Sequence, residues 1–134
     1  MDLNKVSLIG NLVKDPVIRK THSGQSVATT AIATNYIWRD LKTKKQKQSV
    51  EFHNVVAWGH LADIIAEYLK KGAKVYIEGR LQSRNWDDKE GKKHYITEVI
   101  AEDVIMLGHR DKDSKTEKSA EALAKEEPAV EDLE

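Results

Sequence analysis

Apolar and polar residues alternate with period two through most of this chain, and the places where the alternation stops divide it into strands. Val6, Leu8 and Leu12 alternate with Lys5, Ser7 and Asn11, which predicts a first strand with one buried face. Asp15-Pro16 and Ser23-Gly24 punctuate the stretch after it, since proline biases the preceding residue toward extended geometry and glycine tolerates positive φ. The run from Gln25 to Trp38 is rich in threonine, valine, isoleucine and aromatics and predicts a second, long strand. Residues 39–48, RDLKTKKQKQ, hold five basic side chains and almost nothing apolar, the composition of a loop. From Ser49 to Trp58, one side carries Val50, Phe52, Asn54, Val56 and Trp58, and the other carries His53, Val55 and Ala57. Apolar groups on both sides predict a third strand covered on both faces, at least when a ligand or partner is present.

Gly59 ends that period. In HLADIIAEYLKKG, Leu61, Ile64, Ile65 and Tyr68 stand at helical spacing, with Lys70 and Lys71 at the expected last turn and Gly72 at the C-cap position, so one helix of about three turns is predicted. In KVYIEGRLQSRNW, Val75, Ile77 and Leu81 face one way while Tyr76, Glu78, Arg80, Gln82, Arg84 and Trp86 face the other. DDKEGKK then makes a hairpin loop centred on Gly91, and HYITEVIAEDVIML is the last strand. Strands that outnumber helices and lie close in sequence predict an all-β class, with an antiparallel sheet that closes or nearly closes. Five strands with one helix between the third and fourth is the order of an OB-fold barrel. After Leu107 no apolar pattern long enough to fold survives. The expected division is a domain over residues 1–109 and a disordered acidic tail over 110–134.

Length and charge sharpen this picture. A chain of 134 residues has room for one core. Formal net charge is zero, yet residues 1–109 hold 17 basic against 13 acidic side chains, and residues 110–134 hold 5 against 9. A basic body with an acidic tail suits a nucleic-acid binder, although a tail that only solubilises has the same composition. The absence of cysteine excludes disulfides, thiolate zinc sites and a cysteine nucleophile. The five histidines never form a close pair with a carboxylate, so neither metal nor cofactor is expected. The N-terminus lacks a basic region followed by an apolar run, and no stretch approaches the ~20 apolar residues of a membrane span. A soluble, cytoplasmic protein is expected.

The candidate chemistry lies in Trp38, Phe52, Trp58 and Trp86. Aromatics in a small barrel are ordinarily core, but these four keep basic company. Trp38 opens into Arg39 and the loop of Lys42, Lys44, Lys45 and Lys47; Trp86 ends the face of Arg80, Gln82 and Arg84; Phe52 and Trp58 share a side with Asn54. Every base has a π-face, so stacking needs no sequence readout, and neighbouring cations hold the phosphates in a salt-sensitive way. The pattern predicts a groove for a single strand. A solvated loop would explain the lysines almost as well, and solvated arginines would explain Arg80 and Arg84. Asp87, Asp88 and Glu90 sit among lysines at a hairpin tip, where carboxylates are normally solvated rather than magnesium-bound. No nucleophile turn or phosphate loop is present, so no enzyme is expected.

In order and spacing, LNKVSLIGNLVKDPVIR, SVATTAIAT with WRD, EFHNVVAWGHLADIIAEYLKKGAKVYIEGRL, NW and ITEVIAEDVIML resemble the bacterial single-stranded DNA-binding protein family over residues 3–107. The resemblance implies an OB domain, usually a homotetramer, that coats single strands during replication, recombination and repair and associates with the nucleoid. It implies stacking roles for Trp38, Phe52, Trp58 and Trp86, with Phe52 and Trp58 exchanged in type relative to the commonest version. It places His53 at a subunit contact, the strand bearing Val55 and His53 against its symmetric copy, and Lys74 and Tyr76 near the contact between dimers. Family tails finish in aspartates and an apolar pair ending in phenylalanine, which docks replication and repair proteins. Here the last residues are EEPAVEDLE, acidic but without that aromatic. Two other functions fit the same pattern: an RNA-binding or regulatory OB module, and an assembly protein whose aromatics form only oligomer contacts.

Overall fold

Small and β-branched residues fill one side of each long strand, and burying those sides together rolls the sheet into a barrel. The computed structural model describes residues 1–108; the tail expected from residue 110 lies outside them. The order is β1 (Val6–Leu12), β2 (Val17–Lys20), β3 (Ser26–Arg39), β4 (Gln46–Trp58), α1 (Gly59–Tyr68), β5 (Lys74–Asp87) and β6 (Lys93–Met106). β1 pairs antiparallel with β5, β5 with β6, and β3 with β4. At its end β1 also reaches β3, through Asn11↔Ala33 and Leu12↔Ile32. A short parallel contact between β4 and β6, Val55↔Val99 and Val56↔Ile100, completes the ring. The five long strands form an OB barrel with a single helix between β4 and β5. The expectation of a wholly antiparallel sheet is therefore corrected at one junction.

Ile32, Val55, Val75, Ile77 and Val99 fill the interior, and Ala62, Ile65 and Leu69 of α1 and its C-cap join the same core. Each such large aliphatic side chain contributes roughly 1.5–3 kcal/mol by leaving water. The helix stops at Tyr68, short of the lysines; the Leu69 N–H donates to the Ile65 carbonyl (3.0 Å) and the chain turns through Gly72 at φ 92°. Of the predicted stripe, Ile65 is buried and Leu61 packs against the core, but Tyr68 is exposed, and Ala62 and Leu69 complete the buried side. Among the described residues no helix is long and apolar enough to cross a membrane.

Two further differences shape the surface. β2, four residues with every side chain exposed, pairs only with β3; having no buried face, it leaves no periodic signal. The predicted loop over 39–48 is shorter than expected, because Arg39 and residues 46–48 are strand. β3 and β4 stay paired to Arg39↔Gln46, and residues 40–45 make the turn. Asp40 builds that turn: its N–H donates to the Lys45 carbonyl (2.9 Å), its carbonyl accepts from the Lys44 N–H (2.9 Å), and its carboxylate accepts from the Lys42 N–H (2.8 Å). The same backbone bond from Lys42 is the main reason its carboxyl titrates below the usual range.

A bulge interrupts the ladder between β5 and β6. Glu78 pairs with Asp103 but Gly79 with Ala101, so Glu102 is an extra residue on β6. A Cβ on Gly79 would fall onto the Ile100 carbonyl, so only glycine permits this approach. Beyond it, residues 80–87 of β5 are exposed, residues 98–101 of β6 stay buried where β6 meets β4 through Val55↔Val99 and Val56↔Ile100, and past them the two strands continue outward as a two-stranded arm.

Candidate nucleic-acid interface

Parity along the strands sorts the candidate residues. On β3–β4 the set Ile32, Val55 and Ala57 points into the barrel, so the register Val27↔Trp58, Thr29↔Val56, Ala31↔Asn54 and Ala33↔Phe52 puts Trp58, Asn54 and Phe52 together on the outer face. Trp58 and Phe52 are 43% and 48% exposed. On the arm, Arg80, Gln82, Arg84 and Trp86 pair with Ile100, Glu98, Ile96 and His94; since Val75, Ile77 and Val99 point inward, this set also faces out. Between the two surfaces runs a groove. One part, about 320 Å³, has Trp58, Val56, Gln82, Arg84 and Glu98 among its walls. The other, about 470 Å³, continues past Asn54 and Arg84 to Lys14, Arg19 and Lys20.

The arm carries a chain of paired groups. Arg84 lies with its guanidinium carbon 5.0 Å from the Trp86 ring centroid, and its Nε donates to Glu98 Oε1 at 2.8 Å. That hydrogen bond, then the carboxylate's charge, raises the guanidinium's already high pKa. Trp86 also stacks on His94, with centroids 5.4 Å apart and planes at 20°. His94 Nε2 meets Asp88 Oδ2 at 2.8 Å, while Asp88 Oδ1 accepts the N–H groups of Glu90 and Lys92 at 2.8 Å. The His94 contact leads the causes that hold Asp88 below the usual carboxylate range, followed by the Lys92 N–H. Arg80 is tied more loosely to Glu102, at 3.4 Å. Chemically, this surface offers half-exposed π-faces for unpaired bases and fixed cations for phosphates.

Not all of the predicted residues converge. Trp58, Phe52, Asn54, Arg80, Arg84 and Trp86 share the outward surface, and Arg39 falls on the Phe52 side of the hairpin. Trp38 pairs with Lys47 and belongs to the opposite side, where it stacks on Tyr36. Lys42, Lys44 and Lys45 occupy the turn, whereas Lys47 is in β4, 4.0 Å from Asp40. The sequence pattern missed Lys14, Arg19 and Lys20 on the groove wall, and Glu98, a buried carboxylate that anchors Arg84. Two cations inside VIRK were the available signal for the first group.

The assembly residues stand elsewhere. Val55 is 1% exposed inside the barrel, so that side chain is covered by the chain's own core. His53 is on that inward side, at 2.9 Å from Thr34 Oγ1. Lys74 and Tyr76 lie on β5 opposite Asn11 and Ile9. Ile9, Tyr76 and Ile105 form a row in register across β1, β5 and β6, with both isoleucines exposed. Beside them Lys5 pairs with Glu78 at 2.5 Å, a contact that leads the causes raising the lysine's pKa and lowering the carboxyl's.

A family model described as the single-strand binding protein family matches residues 3–107. The chain is 47% identical over 113 residues to single-stranded DNA-binding protein 1 of Xylella fastidiosa, covering 84% of this chain and 83% of that protein. It is 54% identical over 110 residues to single-stranded DNA-binding protein 1 of Chlorobaculum tepidum, covering 81% and 67% respectively. Its fold is similar to the Plasmodium falciparum SSB in a complex with single-stranded DNA, with a TM-score of 0.75 and 36% identity over 81% of this chain and 97% of that one.

Proposed function

Since the chain belongs to the single-strand binding protein family, we propose that it binds single-stranded DNA without sequence preference, protecting it during replication, recombination and repair. The observation that carries this is the outward surface on which Trp58 and Arg84 wall a groove, with Trp86 held beside that arginine and Phe52 on the same side of β4 as Trp58. Stacking supplies affinity for any base, and the cations supply affinity for any backbone. A duplex hides its base faces and gains only the second contribution. Nothing in this surface calls for catalysis. The protein is read as acting in the cytoplasm on nucleoid DNA, through the unit of residues 1–109.

Fluorescence anisotropy with labelled oligo-dT, oligo-rU and duplex of equal length tests this. Binding of dT well ahead of duplex supports it, with rU weaker. Preference for rU would make the chain an RNA module, and no binding to any of the three would make its aromatics assembly contacts. A homotetramer is the second part of the proposal, supported by the row of Ile9, Tyr76 and Ile105, whose two isoleucines are exposed, with Lys74 beside it. Sedimentation equilibrium over a range of concentrations should give about four times 15.2 kDa. A monomer throughout refutes that part alone.

A further inference from the structure

The β3–β4 hairpin has two sides, and its aromatic residues are divided between them. Register pairs Tyr36 with Ser49 and Trp38 with Lys47, while Phe52 pairs with Ala33 and Val50 with Asn35. Tyr36 and Trp38 therefore share the side turned away from Phe52 and Trp58. Their rings are stacked, with centroids 5.8 Å apart and planes at 27°. Stacking uses one face of each ring. Trp38 is only partly exposed, whereas Tyr36 is 65% exposed. The free ring face of this pair thus belongs to the tyrosine.

We propose that Tyr36 is a base-stacking residue, and that Tyr36 over Trp38 forms a second platform for an unpaired base on the reverse side of the hairpin. The alternative role, a packing pair that stiffens the hairpin, leaves the outer ring face with no task. A base laid on it extends an existing stack, and the indole beneath holds the phenol ring in place. Lys42, Lys44 and Lys45 at the adjoining turn bring cations to the same end of the hairpin, so a strand leaving Phe52 can pass the tip and meet Tyr36. This proposal rests on the single-strand reading above.

The test compares the full chain with Y36F, Y36A and Y36L by anisotropy, using oligo-dT long enough to cover one barrel, about 16 nucleotides. Y36F keeps the ring and should bind within about twofold of the parent, whereas Y36A and Y36L should each weaken binding by roughly tenfold, in the lower part of the range for one lost base stack. Leucine still packs against Trp38 but has no π-face. If Y36L binds like the parent, or Y36A does, Tyr36 is only a packing residue and the platform is refuted. A parent chain that fails to bind dT refutes the single-strand reading itself. Circular dichroism of each variant confirms that the comparison is among folded proteins.

Discussion

Replacing Trp58 with alanine separates binding from folding more cleanly than any other change on this surface. Trp58 is 43% exposed and lies outside the buried core cluster. It is the N-cap residue of α1, but it contributes no side-chain cap bond there, so truncation leaves the helix start intact. What is lost is the floor of the groove beside Val56 and Arg84. One base stack contributes roughly 1–3 kcal/mol, which at about 1.4 kcal/mol per tenfold is a factor of roughly 5 to 150 in Kd. Half-burial of the indole implies a stability loss of about 1 kcal/mol, or roughly 4–8 °C in Tm for a domain of this size. Ile32→Ala supplies the contrast: Ile32 is 0% exposed, and its truncation should cost about 2–5 kcal/mol while leaving the affinity of the folded fraction unchanged. Both variants are compared at one protein concentration, by anisotropy with oligo-dT and by thermal melting followed by circular dichroism. An unchanged Kd in W58A removes Trp58 from the binding surface. A Tm loss as large as that of I32A assigns it to the core.

Affinity for oligo-dT should fall steeply with added salt, the slope of log K against log salt being about −0.7 per phosphate neutralised; in a chain carrying R19A and K20A that slope should flatten by about one unit, and an unchanged slope would remove β2 from the path. Asp88 is held below the ordinary carboxylate range by His94 and backbone N–H groups, so its contribution to the arm tip is fully present above about pH 4 and is lost as pH falls through the lowered folded value. An acid step in the amide NMR signals of Glu90 and Lys92 is expected below about pH 4; a step of equal size in D88N would show that another group causes it. Gly79→Ala should destabilise the barrel by about 1–3 kcal/mol, because the new Cβ meets the Ile100 carbonyl; a Tm equal to the parent's would mean that β6 can shift aside freely.

Parity explains how much of the site was legible in the sequence. Trp58, Phe52 and Asn54 share a side of β4 whatever the rest of the chain does, and Arg80, Arg84 and Trp86 share a side of β5. Both sets can be grouped without coordinates. Trp38 cannot be placed that way, because β3 carries Thr29, Thr30, Ala31, Ala33 and Thr34, small residues on both parities that do not mark an inside. Its side is set only by the unbroken register with β4, and the basic composition of residues 39–48 conceals how far that pairing runs. A ladder of backbone hydrogen bonds does not require apolar side chains, so composition alone makes this strand look like a loop. The parallel closure of β4 on β6 is out of reach for a related reason: it rests on two residue pairs between segments about forty residues apart, and no local period records it.

Leu81 shows where pattern and position part. Its parity is that of Val75 and Ile77, which predicts a place in their core, yet it is 47% exposed while they are 0% and 1%. The parity is right, because its cross-strand partner Val99 is buried. What differs is its place at the end of the barrel: β4 meets β6 at Val99 and Ile100, the partners of Leu81 and Arg80, and past that closure β5 leaves the barrel and an inward-facing side chain loses its opposing wall. The same departure puts Arg84 and Trp86 across the groove from Trp58. The extra residue, Glu102, lies just ahead of that closure, where a bulge bends and twists the strand that carries the arm. Deleting Glu102 restores a regular ladder in which Ala101 stays opposite Gly79 and Asp103 opposite Glu78, so the side chains of β6 keep their sides and the local bend and twist of the bulge are lost. Val104 still faces the barrel and Glu98 still faces Arg84, but the arm is re-aimed relative to Trp58. Such a variant should fold and bind oligo-dT more weakly, and a deletion that changes neither melting nor dT affinity would refute the role given to the bulge.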